Sequence, residues 1–329
     1  MSFLGNRDED IRNRIAGGLV GLAVCDALGM PNEVIRKPRE PKVLKTMEAG
    51  GELELPKGAY TDDTSHALAL AESMIESNGF DPTDHIRRYI RVVDENYLGS
   101  TDKNIGTGRT IKNALESFKR TGLPYVGPSE DNSGAGNGCI MRLFPVPAFY
   151  AYQHHSLAIR YSGDSAMVTH PMLEAADASR YLGWIIHSAI NGAPKDFLLS
   201  DPAKWNDPYG YWKSFPLHRK IAEISKGSFR SCNPKTSGSV WDTLESALWA
   251  FARTDTFETG AVEAVSLGGD SDSRGAVFGQ MAGAHYGIDS IPREWRDSLL
   301  RKDLVEGIAQ KLYVAAKANK QQIEPLRSF

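Results

Sequence analysis

The sequence predicts a mostly α-helical protein that folds as one domain over residues 1–329. Apolar residues recur every three or four positions in segment after segment, which is the spacing of one face of a helix. No run that alternates apolar and polar residues for more than about four positions stands out. There is also no strand–helix repeat of the kind that a parallel sheet requires. Together these observations indicate an all-α fold.

The first predicted helix lies near the N-terminus, where Ile11, Ile15 and Leu19 recur at helical spacing. Several glycines lie within or beside this run, and each interior glycine costs a helix roughly 1 kcal/mol relative to alanine. Such small residues indicate that another helix, or a ligand, approaches the backbone closely. The segment 31–57 is rich in Pro, Gly, Lys and Glu, and we predict a loop there.

A second helix is predicted after residue 61, with an apolar stripe that ends at Asn78 and Gly79. Further helical patterns cover residues 84–95, 104–120, 173–190, 240–251, 273–286 and 304–320. Gly275, Gly279 and Gly283 are spaced by four and predict a smooth helix face that packs deep in the core. Residues 195–237 are irregular. We expect a surface excursion there rather than a linker, because Trp205 and Trp212 need burial.

Composition and charge exclude several classes of function. A net charge of −3 argues against a general nucleic-acid binder. The three cysteines form no C-x-x-C pair, so neither a zinc knuckle nor a disulfide framework is indicated, and we expect a cytoplasmic protein. The most apolar stretch, residues 15–30, is short for a bilayer and contains Asp26, so we expect no membrane helix. The acidic N-terminus does not have the pattern of a signal peptide.

Two clusters of aspartates and hydroxyls stand where two predicted helices begin. They are Thr61-Asp62-Asp63-Thr64 and Asp270-Ser271-Asp272-Ser273. Their hard oxygen ligands suit Mg²⁺, Mn²⁺ or Ca²⁺ better than Zn²⁺. Four carboxylates gathered in one place would be hard to hold close without cations. The pair therefore predicts a two-metal site, and the alternative is a capped helix start that occurs twice.

Five motifs resemble those of the ADP-ribosylglycohydrolase family. They are residues 17–29 with Pro31-Asn32-Glu33, then 60–64, 136–142, 240–251 and 267–273. Each is weak alone, but the five run in family order from about residue 10 to residue 287 and so cover most of the chain. The resemblance implies an orthogonal multi-helix bundle with a dinuclear Mg²⁺ cleft. It also implies hydrolysis of the glycosidic bond between ADP-ribose and an acceptor.

The resemblance further implies which residues form the site. The implied metal ligands are Thr61, Asp62, Asp63, Asp270, Asp272 and Ser273, with two Mg²⁺ ions bound and Mn²⁺ as an alternative. Ser273 stands where the family usually has threonine, and the missing methyl predicts a slightly looser ligand. The metals are expected to bind the 2- and 3-hydroxyls of the ribose. A carboxylate then takes the proton of the attacking water, and Glu33, Asp62 and Asp272 are all candidates.

The loop 133–138 could wrap a phosphate, because consecutive backbone N–H groups form an anion nest. A surface turn is the simpler alternative, but the family motif favours a diphosphate cradle made by Gly134, Gly136, Asn137 and Gly138. His170 could stack on ADP-ribose, hydrogen-bond to it, or be purely structural. Arg142 is expected to be a structural ion-pair partner. Asp26, in an apolar run, is expected to have a hydrogen-bonding partner or to face the site.

The acceptor remains open in the sequence. ADP-ribose linked to arginine on a protein is favoured over serine-linked, polymeric and small-molecule substrates, and the loops 31–57 and 195–237 would decide between them. A protein of the same fold that binds ADP-ribose without turnover, or serves structurally, is the main alternative. An isoprenoid-diphosphate enzyme fits poorly, since its acids are spaced i and i+4, whereas these are spaced i,i+1 and i,i+2.

Overall fold

The computed structural model describes residues 3–34, 40–103, 105–126, 134–204 and 210–320. These residues form fifteen α-helices and no β-strand, which confirms the all-α prediction. The helices are α1 (Phe3–Gly29), α2 (Asp62–Glu76), α3 (Pro82–Glu95), α4 (Arg109–Thr121), α5 (Pro145–Phe149), α6 (His155–Met167), α7 (Leu173–Ile190), α8 (Lys195–Leu198), α9 (Tyr211–Ser214), α10 (Arg219–Ser225), α11 (Val240–Arg253), α12 (Phe257–Val265), α13 (Ser271–Tyr286), α14 (Arg293–Ser298) and α15 (Lys302–Asn319).

Every helix predicted from periodicity is present, with ends shifted by a few residues. The largest shift is at α4, which begins at Arg109 rather than near residue 104, and Asn104 itself lies outside the described residues. The pattern missed α5, α6, α12 and α14. In α6 the buried face is built from small residues such as Ala158, Ser162 and Gly163, which leave no apolar stripe. The excursion 195–237 contains the short helices α8, α9 and α10. Trp212 is buried there, and Trp205 lies outside the described residues.

Helices α1 and α13 pack with almost no space between their backbones. A Cβ added to Gly279 would lie 2.1 Å from the carbonyl oxygen of Gly21, and one on Gly283 would lie 2.0 Å from that of Gly17. Only glycine permits so close an approach. Of the two explanations offered for the glycines, the structure therefore shows a neighbouring helix.

The same contact brings the C-terminal end of α1 to the N-terminal end of α13. The Ser271 hydroxyl donates a hydrogen bond to the carbonyl of Gly29 over 2.8 Å. Residues 7–32 form the one segment among the described residues that is long and apolar enough to cross a membrane, and 94% of its most apolar window is buried in the protein. This burial is typical of a core helix.

Candidate functional site

The two acidic clusters face one cavity of about 520 Å³. α2 contributes Asp62 and Asp63 to its wall, and the start of α13 contributes the second cluster. The predicted site residues that line it are Glu33, Asp62, Asp63, Gly136, Asn137, Gly138, His170, Asp270, Asp272 and Ser273. Thr61 lies just behind the wall, and Gly134 packs against Pro171 instead. The fold thus brings together residues more than 200 positions apart in sequence.

Asp26 holds the start of α2 in place from the neighbouring helix. Its carboxylate accepts hydrogen bonds from the backbone N–H and the hydroxyl of Thr61, at 3.0 and 2.9 Å, and from those of Thr64, at 3.1 and 2.6 Å. It therefore caps α2 in place of the N-cap residue, whose own side chain makes no capping bond. Of the two expectations for Asp26, the structure shows the hydrogen-bonding role.

The start of α13 depends on two glycines and on the loop before α11. Gly268 and Gly269 have φ angles of +74° and +67°, a left-handed bend that other residues rarely adopt. The backbone N–H of Asp270 donates to the carbonyl of Thr236 over 3.0 Å. The Asn137 side chain donates to Asp270 Oδ2 over 2.7 Å. These contacts fix the second cluster opposite the first, and the Thr61 hydroxyl lies 3.5 Å from Asp272 Oδ2.

The clustered carboxylates raise one another's pKa values. Burial, with the neighbouring charge of Asp26, raises the pKa of Asp62 to about 7. Burial, with the charges of Asp270 and Asp62, raises that of Glu33 to about 8. The pKa values of Asp63 and Asp272 are also raised well above the usual range, first by burial and then by their acidic neighbours. The site is therefore built from acids that resist ionising together.

The chemistry of this donor set fits divalent cations. Asp63 Oδ2 and Asp272 Oδ1 are buried and have no hydrogen-bond partner among the described residues. Hydroxyl and carboxylate oxygens are the ligands that Mg²⁺ and Mn²⁺ take, and bound cations would relieve the repulsion between the acids. In the described part of the chain, no group of three acidic, histidine or cysteine side chains converges on a single metal position.

The raised pKa values predict how the stability of the metal-free protein depends on pH. A folded-state pKa above the ordinary value of about 4 means that the folded protein binds more protons, so stability is lost as pH rises through about 7 and 8. Buried histidines have the opposite effect on the pH dependence of stability, since burial lowers the pKa values of His66 and His85 to about 3. Above about pH 7, however, these histidines are mostly neutral in both the folded and the unfolded protein, so they change the stability little there.

The melting temperature in EDTA should therefore fall between about pH 7 and 8.5, with a loss of about 1–2 kcal/mol in unfolding free energy. Thermal unfolding at several pH values measures it, and saturating Mg²⁺ should flatten the profile. A melting temperature in EDTA that stays level or rises over this range would contradict the crowded-acid description of the site.

The glycine loop lines the cavity but does not have the backbone of a compact anion nest. None of residues 134–138 has a positive φ, and Ser133 lies outside the described residues. The N–H of Asn137 is already donated to the carbonyl of Gly238 over 3.1 Å. These residues therefore do not have the predicted nest geometry, and the phosphate-binding role of Gly134, Gly136, Asn137 and Gly138 stays a prediction. The glycines create space instead, since a Cβ on Gly138 would lie 2.9 Å from Ile111 Cδ1 and 3.1 Å from His170 Cε1.

His170 is almost fully buried beneath this loop, and burial lowers its pKa well below the usual range. Its Nδ1 lies 2.8 Å from the Thr169 hydroxyl, and Arg142 Nη2 donates to the same hydroxyl over 2.6 Å. Within the described residues, the ion pair expected for Arg142 is not formed. Its buried guanidinium lies 4.4 Å from the ring centroid of Tyr89 instead.

Several cavity residues carried no recognisable signal in the sequence. Arg109 and Thr110 at the start of α4 line the wall, as do Thr236 and Ser237 at the end of the irregular excursion. Arg109 is exposed and adds a basic side chain to a mostly acidic wall. Glu33, Thr236 and Ser237 place parts of the loops 31–57 and 195–237 at the cleft, as expected for loops that would decide the acceptor.

Known proteins resemble this chain over nearly its whole length. A family model described as ADP-ribosylglycohydrolase matches residues 7–322. ADP-ribosylarginine hydrolase Tri1 of Serratia proteamaculans (strain 568) is 33% identical over 94% of this chain and 81% of that protein. Its namesake in Pseudomonas putida (strain GB-1) is 32% identical over 93% and 79%. A solved structure, described as an ADP-ribosylglycohydrolase-related protein complex, is 38% identical with a TM-score of 0.79, over 94% of this chain and 99% of that one.

Proposed function

The chain belongs to the ADP-ribosylglycohydrolase family and hydrolyses the bond between ADP-ribose and a modified acceptor, and we propose that the acceptor is arginine and that two divalent cations serve the reaction. The proposal of an arginine acceptor rests on the identity of 33% to an ADP-ribosylarginine hydrolase along 94% of the chain.

The cations are supported by the donor set. The proposed cation ligands lie on two helices. They are Asp62 and Asp63 on α2, with Thr61 just before it, and Asp270, Asp272 and Ser273 at the start of α13. When bound, the cations would hold the ribose hydroxyls and so orient the anomeric carbon for attack. The chain itself contributes rigidity, since Asp26 holds the start of α2 and Asn137 holds Asp270 through a 2.7 Å hydrogen bond.

Among the three candidate bases, Glu33 is best suited to move a proton. The pKa values of Glu33 and Asp62, about 8 and about 7, both lie near neutral pH, where a carboxyl group can both accept and return a proton. Glu33 is favoured because it is the one candidate that is not also a proposed cation ligand. Glu33 would take a proton from the attacking water as the new C–O bond forms. The bond from the anomeric carbon to the guanidine nitrogen breaks at the same time, and Glu33 returns the proton to that nitrogen as it leaves. Asp62 and Asp272 remain engaged as cation ligands in this scheme.

The test compares two protein substrates, one ADP-ribosylated on arginine and one on serine, each incubated with Mg²⁺ or with EDTA. Release of free ADP-ribose, quantified by mass spectrometry, is expected from the arginine-linked substrate in Mg²⁺ only. The Asp62→Ala/Asp63→Ala double variant is the control and should release none.

Release from the serine-linked substrate alone would overturn the proposed acceptor. Equal release in EDTA would overturn the need for cations. If neither substrate is cleaved but ADP-ribose binds, the chain would be a binding protein of this fold.

A further inference from the structure

We propose that Arg142 and Thr169 are positioning residues that fix the tautomer of His170, so that His170 presents an Nε2–H donor to the ligand diphosphate in the cleft. The diphosphate as ligand rests on the proposed function, whereas the hydrogen-bond chain rests on the geometry of the protein alone. All three side chains are at least 99% buried, so solvent does not supply hydrogen-bond partners for their polar groups.

The direction of the two hydrogen bonds, from Arg142 to Thr169 and from Thr169 to His170, follows from the chemistry of Arg142. A guanidinium can only donate hydrogen bonds, so the Thr169 hydroxyl oxygen accepts the 2.6 Å bond from Nη2. The hydroxyl proton of Thr169 must then point elsewhere, and its one other side-chain partner among the described residues is His170 Nδ1 at 2.8 Å. Nδ1 therefore accepts. Because burial and the Arg142 charge keep His170 neutral, its single ring proton lies on Nε2.

The two glycines of the loop leave space beside this Nε2–H. A Cβ on Gly136 would lie 3.5 Å from Nε2, and a Cβ on Gly138 would lie 3.3 Å from it. Both glycines and His170 line the cavity. Since the N–H of Asn137 is already bonded to Gly238, the imidazole supplies a donor where that backbone group is not available. A phosphate oxygen of ADP-ribose is the ligand atom that fits such a donor.

The test uses nitrogen NMR of the full-length protein labelled with ¹⁵N-histidine, which distinguishes the two neutral tautomers. In the wild type without ligand, His170 should carry its proton on Nε2. The Thr169→Val variant keeps the shape of the side chain but removes the donor to Nδ1. His170 should then populate the other tautomer, while His187, which lies elsewhere against carbonyls of Tyr150 and Gln153, should keep its signals.

The same variant should bind ADP-ribose about tenfold more weakly by calorimetry, the loss expected for one hydrogen bond, and should raise KM more than it lowers kcat. Thr169→Ser, which retains the hydroxyl, should restore both the tautomer and the affinity. If His170 of the wild type carries its proton on Nδ1, the proposed hydrogen-bond chain is wrong, whether or not the Thr169→Val variant folds. Unchanged affinity in a folded Thr169→Val with an altered tautomer would overturn the role of Nε2–H. A wild type with the Nε2–H tautomer that binds no ADP-ribose would support the chain and overturn the proposed function.

Discussion

Asp272→Asn is expected to lower release of ADP-ribose by about a thousandfold or more while making the metal-free protein more stable. The activity falls because Asp272 contributes a buried carboxylate with an unpartnered oxygen to the proposed cation site, and a metal site contributes several kcal/mol to the transition state. The stability rises because the pKa of Asp272 is raised by burial and by Glu33, Asp63 and Asp270, all of which oppose its charge. A gain of about 1 kcal/mol is expected from the neutral amide.

The two effects are measured separately. Mass spectrometry follows release, and thermal unfolding is recorded in EDTA and in Mg²⁺. Wild-type protein should gain stability from Mg²⁺, and the variant should lose most of that gain. Asp164→Asn is the matched control, because Asp164 on α6 also has a pKa raised by burial but lies outside the cavity. That control should keep both activity and the response to Mg²⁺. Full activity of the Asp272→Asn variant would contradict the role of Asp272 as a cation ligand.

Local features of the site were predictable from sequence, and relations between helices were not. Each acidic cluster stands at a helix start, and this depends on a few adjacent residues. The role of Asp26 depends on how α1 lies against α2, since its partners Thr61 and Thr64 are 35 and 38 positions away. The sequence could therefore indicate that Asp26 needs a partner without indicating which one.

The glycine loop shows the same limit for backbone conformation. A glycine-rich stretch permits an anion nest but does not require one, because glycine adopts many φ values. The hydrogen bond from the Asn137 N–H to Gly238 decides the local conformation, and it depends on the loop before α11. Similarly, Arg142 was expected to be a structural ion-pair partner. Its actual partners, Thr169 and Tyr89, are a hydroxyl and an aromatic ring from two other segments.

Gly279→Ala is expected to destabilise the protein by about 3 kcal/mol or more, although alanine is the better helix former. The added methyl would lie 2.1 Å from the carbonyl oxygen of Gly21, and 2.6 Å from its carbonyl carbon, so α1 and α13 would have to separate. Both neighbours are backbone atoms of a buried helix, which cannot move aside as a flexible side chain can. Urea unfolding followed by helical circular dichroism measures the change.

Gly307→Ala is the control with the opposite sign. Gly307 lies on the exposed face of α15, and a Cβ there would meet no atom within 4 Å. The substitution should leave stability unchanged or raise it by up to about 1 kcal/mol. If Gly279→Ala left the stability unchanged or raised it, as expected for this control, the description of a close contact between α1 and α13 would be wrong. Separation of these helices should also weaken the response to Mg²⁺, because α1 carries Asp26 and α13 begins with the second acidic cluster. The glycine contact would then support the candidate site as well as the core.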